Sequence, residues 1–214
     1  MPANIYKNSK GERVPGVTTV IGGNLGWSKD ALMYWAWDQG INGKDFRASR
    51  DKAADTGTIA HAMVEHEVKG ERFDWPALGQ EMGGNAEQIK QAENAFNAFC
   101  EWKELVKFEL LFSEHLLVSE VHQFGGQIDI AAVQKKRAII DIKTSNAIYA
   151  DHKIQIAAYG QLWNEHYPKE PIEAYYILQL GKDGSFTYYY FPELNEHFRA
   201  FLLLRELHDL KKKL

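Results

Sequence analysis

The sequence predicts an α/β domain with a helical N-terminal layer. Up to about residue 107, apolar residues recur mainly at helical spacing. From Phe108 onward the apolar pattern becomes that of strands, interrupted by one helix. With 214 residues, 45% of them apolar, the chain is long enough for one domain with its own core. We expect a mainly helical part (1–107), a sheet with its helix (108–191) and a C-terminal helix (192–214).

The N-terminal part is predicted to contain one short extended piece and three helices. In chain order these elements are Val14–Ile21, then helices at Lys29–Gln39, from Lys52 or Thr58 to Val68, and Asn85–Lys107. Ser28 is a residue type that caps helices, and Gly40 and Gly70 are typical of helix ends. Residues 74–84 contain Pro76 and three glycines, so we expect a loop there.

The first helix carries three aromatic residues, Tyr34, Trp35 and Trp37. We interpret them as packing residues, because large aromatic side chains usually contribute to a core. A platform on which nucleic-acid bases stack is the alternative.

The remainder of the chain is predicted to form five strands and two helices. In order they are strands Glu109–Val118, Gln127–Val133 and Ala138–Lys143, a helix Asp151–Tyr167, strands Ala174–Leu180 and Ser185–Phe191, and a helix Leu194–Leu214. Gly181–Gly184 gives a strong hairpin signal between the last two strands. Pro168 ends the preceding helix.

Composition excludes several classes of protein. The single cysteine, Cys100, rules out an internal disulfide and an all-cysteine metal site, and is interpreted as a small buried hydrophobic residue. The net charge of −4 argues against a protein that coats nucleic acid electrostatically. No apolar run reaches the roughly 20 residues that span a bilayer, and Met1–Lys7 is too polar for a signal peptide. We therefore expect a cytoplasmic protein without a membrane partner.

Two predicted neighbouring strands carry charged residues that share a face. The two-residue repeat of a strand sets Asp129 opposite its apolar neighbours and places Asp141 and Lys143 together. A buried charge is costly unless it meets a cation or a metal, so this pattern indicates a metal site with a lysine beside it. A surface cross-strand pair is the alternative. His61 and Glu65, four residues apart on a helix, are likewise either metal-site residues or a surface pair.

Short motifs in the same order resemble a known nuclease family. They are Gly57-Thr58-x-x-His61, Gly126-x-x-Asp129, Asp141-Ile142-Lys143 and Gln155-x-x-x-Tyr159. Together they resemble the PD-(D/E)XK nuclease superfamily, and the histidine motif resembles its RecB-like branch, which includes phage-type exonucleases and the mitochondrial genome maintenance exonuclease. Val14–Val20 and Leu32-x-x-Trp35-Ala36 are similar to the N-terminal part of that branch. The resemblance covers roughly residues 14–180.

The resemblance implies a fold and a set of site residues. The fold is a restriction-endonuclease-like core, a central mixed β-sheet flanked by helices. Metal ligation is implied for His61, Asp129, Asp141 and the Ile142 carbonyl, and Lys143 is implied to be the catalytic lysine. Supporting or substrate-positioning roles are implied for Gln155 and Tyr159. Their position after β-strand Ala138–Lys143 leads us to expect Thr144, Ser145, His152 and Lys153 at the mouth of the site, where they can hydrogen-bond backbone phosphates.

Glu114 occupies the place of the family's glutamate on the preceding strand. We predict that Glu114 is a catalytic residue. Three roles are open: it binds a second metal, it orients a ligand, or it points outward as an ordinary acid. Thr144 and Ser145 also admit an ordinary reading, since such a pair after a strand often forms a turn or a helix cap.

The resemblance also implies an activity, a cofactor and partners. We expect a metal-dependent deoxyribonuclease, an exonuclease acting on DNA ends in phage or bacterial recombination and repair, with one or two Mg²⁺ or Mn²⁺ ions. The imidazole of His61 favours manganese, because nitrogen ligands suit transition metals better than magnesium. The substrate is single- or double-stranded DNA, and a single-strand annealing protein or a helicase is an expected partner. An endonuclease on the same fold, a non-cleaving binding module and an RNA nuclease are the alternatives.

Overall fold

The computed structural model describes residues 4–26 and 29–214, with the backbone only at Ala31. In these ranges the elements are β1 (Tyr6–Lys7), β2 (Arg13–Val14), α1 (Val17–Asn24), α2 (Lys29–Ile41), α3 (Phe46–Lys69), α4 (Trp75–Glu81), α5 (Ala86–Val106), β3 (Glu109–Ser119), β4 (Phe124–Val133), β5 (Arg137–Lys143), α6 (Ala150–His166), β6 (Ala174–Leu180), β7 (Phe186–Phe191) and α7 (Asn195–Leu210). No helix of the described ranges has the length and apolar character needed to cross a membrane. The predicted α/β class is confirmed.

The main sheet is mixed, as the resemblance implies. Its strand order is β3-β4-β5-β6-β7, so every neighbour in space is also a neighbour in sequence. All neighbours pair antiparallel except β5 and β6, which are parallel because α6 carries the chain back between them. The short β1–β2 hairpin lies against β4, where the Gly125 amide donates to the Pro15 carbonyl.

Helices cover both faces of this sheet, and each face has its own apolar cluster. On one face α1, α6 and α7 pack around Phe124, Trp163 and Phe201. On the other face α3, α4 and α5 pack around Phe99 and Trp102. The ends of β4 and β5 lie between the two layers, so a residue there can meet side chains from both.

The predicted strand at Val14–Ile21 is wrong beyond Val14, because Val17–Asn24 forms α1. Its run of β-branched residues favours a strand on propensity alone. However, Val17, Val20 and Ile21 recur at helical spacing and are all buried against the sheet. Tertiary burial therefore overrides the local preference.

The helical layer is also longer than predicted at two places. α3 begins at Phe46 instead of Lys52 or Thr58, because the Asp45 carboxylate accepts hydrogen bonds from the first backbone amides. Residues 75–81 form α4 and not a loop, and Asp74 caps it with Pro76 in the first turn. The predicted cap at Ser28 lies outside the described residues.

The C-terminal helix is shorter than predicted. α7 ends at Leu210, and Lys211–Lys213 form turns beyond it. The other predicted strands and helices agree with the structure to within a few residues.

Two predictions about packing have different outcomes. Cys100 is half-buried and packs against the cluster of α3 and α5, and burial raises the pKa of its thiol to about 11, as suits a small hydrophobic residue. The packing role predicted for Tyr34 and Trp37 is wrong, because both side chains are exposed on α2. Trp35 is half-buried and contacts Phe46 edge to face.

Candidate active site

Three acidic residues form one row across three neighbouring strands. The pairing register of β3, β4 and β5 sets Glu114 opposite Asp129, and Asp129 opposite Asp141. The ladder between β4 and β5 ends at this row, so the strands separate there. Ile128 and Ile130 belong to different apolar clusters, so the strict alternation expected around Asp129 is interrupted at that residue.

Glu114 is held in an unusual backbone conformation. Its φ is 51°, in the left-handed region that residues other than glycine rarely adopt, although it lies inside β3. Such a conformation costs on the order of 1–3 kcal/mol and persists only where the surrounding structure enforces it. The Gln127 side-chain amide donates a hydrogen bond to the Glu114 carboxylate. The conformation and this bond fix the carboxylate beside Asp129.

His61 reaches the acidic row from α3. One ligand atom each of His61, Glu114 and Asp129 lies within 4.8 Å of the others, and all three side chains are half-buried. His61 Nδ1 is 3.9 Å from Asp129 Oδ2. The structure thus brings together two of the four implied metal ligands and adds Glu114, whose role was open.

Asp141 and Lys143 form a second group in the same place. Asp141 is completely buried, and its Oδ2 lies 2.6 Å from Lys143 Nζ. This contact is an ion pair, and Asp141 Oδ1 has no hydrogen-bond partner among the described residues. A buried carboxylate oxygen without a partner is costly unless a cation satisfies it.

Ile142 takes part through its amide. Its backbone N–H donates to Asp129 Oδ2 at 2.8 Å. This bond joins β4 to β5 beyond their last paired residues and orients the Asp129 carboxylate. The role implied for the Ile142 carbonyl stays a prediction.

The acids perturb one another's charge. Burial, together with the nearby charges of Asp129 and Glu65, raises the pKa of Glu114 to about 8. Burial also raises the pKa of Asp141, against the opposing effect of Lys143. Burial alone would lower the pKa of Lys143, but the charges of Asp141 and Asp129 raise it above its ordinary value. Lys143 is therefore an ammonium ion in the metal-free site.

The donor set fits a divalent cation. It combines an imidazole nitrogen with carboxylate oxygens. Mn²⁺ accepts both kinds of ligand, whereas Mg²⁺ prefers the oxygens. Burial raises the pKa of Glu114, and Asp141 Oδ1 has no hydrogen-bond partner among the described residues, so a cation would stabilise both carboxylates. Superfamily members use divalent metal ions, and the residues present here agree with that use.

Gln155 and Tyr159 reach the site from α6. The Gln155 amide donates to the Tyr159 hydroxyl at 2.8 Å. Tyr159 is buried, and a Cβ added to Gly126 would lie 2.7 Å from its ring, so only glycine fits there. Tyr159 also lines a cavity of about 540 Å³ together with Glu114 and Asp129. The pair therefore supports the floor of the site.

The residues that follow β5 divide into two groups. Thr144 and Ser145 line an open groove of about 540 Å³ together with His61 and Lys143. Lys153 instead lies 5.3 Å over the Phe191 ring and faces a different cavity.

His152 belongs to the start of α6. Its Nδ1 accepts a hydrogen bond from the Tyr149 amide. Burial, reinforced by the charge of Lys143, lowers the pKa of His152 to about 4. His152 is therefore neutral at physiological pH and does not add positive charge at the mouth of the groove.

Sequence reasoning did not identify two residues of the site. Gln127 holds Glu114 and lines both cavities, and Asn4 lines both as well. The position of Gln127 next to the Gly126-x-x-Asp129 motif is a usable signal, whereas nothing near Asn4 in the sequence indicates a role. Glu65 lines the groove and pairs with Lys69.

Comparison with solved structures finds one similar fold and two weaker matches. An exonuclease candidate from Eubacterium rectale matches with a TM-score of 0.50 at 13% identity over 73% of this chain. The chain spans 65% of the length of that protein. SSO0001 gives a TM-score of 0.39 at 20% identity, covering 69% of this chain and 68% of that one. LHK-Exo, solved in complex with dAMP, gives 0.31 at 16% identity, covering 76% of this chain and 90% of that one.

Comparison at the level of sequence gives the family. No curated protein matches the chain. The family model of the PD-(D/E)XK nuclease superfamily matches residues 34–211, which include the helix with His61, the acidic row, Lys143 and α6. A hydrolase acting on nucleic acid is the activity of that superfamily. With most of its length matched, the chain belongs to the PD-(D/E)XK nuclease superfamily.

Proposed function

We propose that the protein is a metal-dependent exonuclease that hydrolyses DNA phosphodiester bonds from a free end. One observation carries this proposal. The ligand atoms of His61, Glu114 and Asp129 lie within 4.8 Å of one another, directly beside the buried Asp141–Lys143 pair. A metal site with an adjacent ammonium can activate a water molecule and stabilise the negative charge that develops on a phosphodiester during hydrolysis.

His61, Asp129 and Glu114 would hold the metal, and Asp141 and the Ile142 carbonyl would be further ligands from β5. The ion is Mn²⁺ or Mg²⁺, and the imidazole ligand favours Mn²⁺. When bound, a divalent cation lowers the pKa of a water molecule and offsets negative charge on the phosphate.

Lys143 has two tasks next to this site. Its ammonium is fixed by Asp141 at 2.6 Å, so it needs little reorganisation when substrate arrives. It donates a hydrogen bond that orients the attacking water, and its charge stabilises the developing charge on the phosphate. Thr144 and Ser145, at the mouth of the groove, hydrogen-bond the phosphates on either side.

Gln155 and Tyr159 act indirectly. Tyr159 packs on Gly126, three residues before Asp129, and Gln155 holds its hydroxyl. These two side chains keep β4 at the distance from α6 that the acidic row requires. Lys153 is assigned to the wall of the neighbouring cavity, where it serves the substrate only beyond the scissile phosphate.

DNA ends are the proposed substrate for two reasons. The motifs resemble the exonuclease branch of the superfamily, and the similar fold from Eubacterium rectale is described as an exonuclease candidate. Work in phage or bacterial recombination and repair, beside an annealing protein or a helicase, follows from the same resemblance.

The test is cleavage of end-labelled single strands, end-labelled duplexes and a covalently closed circle, each with Mn²⁺ and with Mg²⁺. Lys143→Ala is compared with Lys90→Ala, which removes an exposed lysine of α5 that pairs with Glu93. We expect loss of label from linear DNA, an intact circle and an inactive Lys143→Ala enzyme. Cutting of the circle would indicate an endonuclease.

Two further readouts separate the other outcomes. Calorimetric titration without Mn²⁺ or Mg²⁺ uptake would leave a non-cleaving binding module. Metal uptake with cleavage of RNA alone would change the substrate but keep the mechanism.

A further inference from the structure

Helix α2 presents an apolar stripe to solvent. Met33, Trp37 and Ile41 recur every four residues, and Tyr34 lies beside Trp37 on the adjoining turn. Tyr34 is 68% exposed and Trp37 58% exposed. Among the side chains of α2 that the structure describes, none is buried. Large apolar side chains that lie next to one another in solvent mark a surface that binds a partner or a ligand.

The aromatic surface continues from α2 to the start of α3. The Tyr34 and Trp37 ring centroids are 5.5 Å apart, and Trp35 meets Phe46 edge to face at 6.5 Å. The Arg47 guanidinium lies 5.7 Å over the Phe46 ring. Aromatic faces next to a cation form the kind of surface on which nucleic-acid bases stack.

One face of α3 connects this aromatic surface to the metal site. Arg47, Arg50, Ala54, Thr58 and His61 are spaced three or four residues apart and therefore share a face. The last three of them line the groove. At 1.5 Å per residue the row is about 21 Å long, which corresponds to about six nucleotides of a stacked strand.

The charges along this row suit a phosphate backbone. Arg47 and Arg50 are exposed. The acids beside them either bond other groups or form only weak ion pairs with the arginines. Asp45 caps α3, and Asp51 holds Arg50 in a surface ion pair at 2.7 Å, the kind of pair that contributes little. The small side chain of Ala54 leaves room between the arginines and the groove.

The aliphatic residues of the stripe, such as Met33 and Ile41, would also suit a protein partner. Such a partner would leave the arginine row and its continuity with the groove unexplained. Stacking on Tyr34 and Trp37 requires bases that are not paired, because the faces of paired bases are already covered by their neighbours in the duplex. The observations therefore favour a single strand.

We propose that α2 and the arginine row of α3 bind the substrate as single-stranded DNA, with bases stacked on Tyr34 and Trp37 and the strand following α3 to the metal site. This inference rests on the proposed function, because it takes DNA to be what enters the groove. It adds strandedness and a binding site remote from the chemistry.

The experiment measures binding independently of cleavage. Fluorescence anisotropy in the non-cleaving Lys143→Ala background compares a labelled 20-nucleotide single strand, a duplex of the same length and a four-nucleotide strand too short to reach α2. Tyr34→Ala/Trp37→Ala is compared with Tyr34→Phe/Trp37→Phe and with Tyr188→Ala, which removes an exposed tyrosine from β7. Circular dichroism verifies that each variant is folded.

The alanine pair should weaken binding of the 20-nucleotide strand by about tenfold or more. The phenylalanine pair and Tyr188→Ala should bind it like the parent, and the short strand and the duplex should be insensitive to all changes. Arg47→Gln/Arg50→Gln should lower the salt dependence of binding, with a slope smaller by about 1 to 2.

Undiminished binding by the alanine pair would overturn the inference. So would a parent dimer in sedimentation that dissociates on the alanine change, since the stripe would then be a contact between two copies. Cleavage of the four-nucleotide strand by the wild type, measured in parallel, tests the proposed function alone. If the wild type cleaves the four-nucleotide strand and the alanine pair binds the 20-nucleotide strand like the parent, the proposed nuclease activity holds and the proposed single-strand site is wrong.

Discussion

The candidate site has two halves that are built differently. Asp141 and Lys143 belong to one strand, are buried and are already paired at 2.6 Å. His61 and Glu114 come from α3 and from β3, an edge strand of the sheet, are half-buried and lie close to Asp129. We call Asp141 and Lys143 the sheet half, and it is assembled by folding alone. We call His61, Glu114 and Asp129 the α3 half. It brings together groups that are stable next to each other only with a metal or a proton. Mutation of Lys143 and mutation of His61 should therefore separate the effect on the reaction from the effect on metal binding.

The largest effect is expected in the sheet half. Lys143→Met should lower cleavage on the order of 10³-fold, because the ammonium acts on the reacting groups. It should also lower the free energy of unfolding by about 3 kcal/mol, because Asp141 is left buried without its partner. Denaturant unfolding and a cleavage assay measure the two.

The double change Asp141→Asn/Lys143→Met tests this reasoning. It should recover stability without recovering cleavage, since neither residue is then a buried unpaired charge. An active Lys143→Met enzyme would show that the lysine is structural.

In the α3 half, His61→Ala should weaken Mn²⁺ binding by about 100-fold, because an imidazole ligand is lost. Cleavage should return when the Mn²⁺ concentration is raised. His66→Ala is the matched control, since His66 lies on the same helix and bonds Glu71. Calorimetric titration measures the dissociation constant, and equal affinities in the two variants would remove His61 from the metal site.

The distance between the halves is set by the contact of Gly57 with Thr144. A Cβ added to Gly57 would lie 2.8 Å from Thr144 Oγ1. Gly57→Ala should reduce cleavage by about tenfold with unchanged stability, because misplacement of the halves is costly while alanine itself favours the helix. Gly22→Ala, where the added Cβ meets nothing within 4 Å, should cleave normally.

The smallest effect concerns pH in the metal-free protein. The pKa of Glu114 is raised to about 8, so the folded state binds a proton that the unfolded state has lost between the ordinary pKa of 4.5 and 8. Stability is therefore greater at low pH and falls as pH rises through this window.

Urea unfolding with a chelator at pH 5.5 and at pH 8 measures this fall. It should be smaller in Glu114→Gln, by on the order of 1 kcal/mol. Glu109 is an exposed acid of the same strand, so the free energy of unfolding of Glu109→Gln should fall between the two pH values as much as that of the wild type. A fall of equal size in Glu114→Gln would exclude Glu114 as the source.

The sheet half could be predicted from sequence, and the α3 half only in part. Residues two apart in a strand share a face, so the meeting of Asp141 with Lys143 follows from local geometry. His61 was assigned through the family resemblance. The position of Glu114 depends on a left-handed backbone and on the register of β3 against β4, neither of which is visible in the sequence.

The fold shows the same limit. The sheet strands and α5 were predicted because periodicity and turn residues agree there. α1 was missed because its β-branched residues favour a strand, and burial on the sheet decides otherwise. The exposure of Tyr34 and Trp37 was missed because an apolar stripe does not show by itself whether it faces the core or solvent.

Helix α2 also has a consequence for how the protein opens. It contains 13 residues, a length at which an isolated helix is only marginally stable. None of its described side chains is buried, so packing adds little to its stability. Its backbone amides should exchange with solvent through local unfolding, long before those in the buried middle of α3. Part of the free energy of any ligand bound there is then spent on ordering the helix. Such binding should carry a large favourable enthalpy and an opposing entropy.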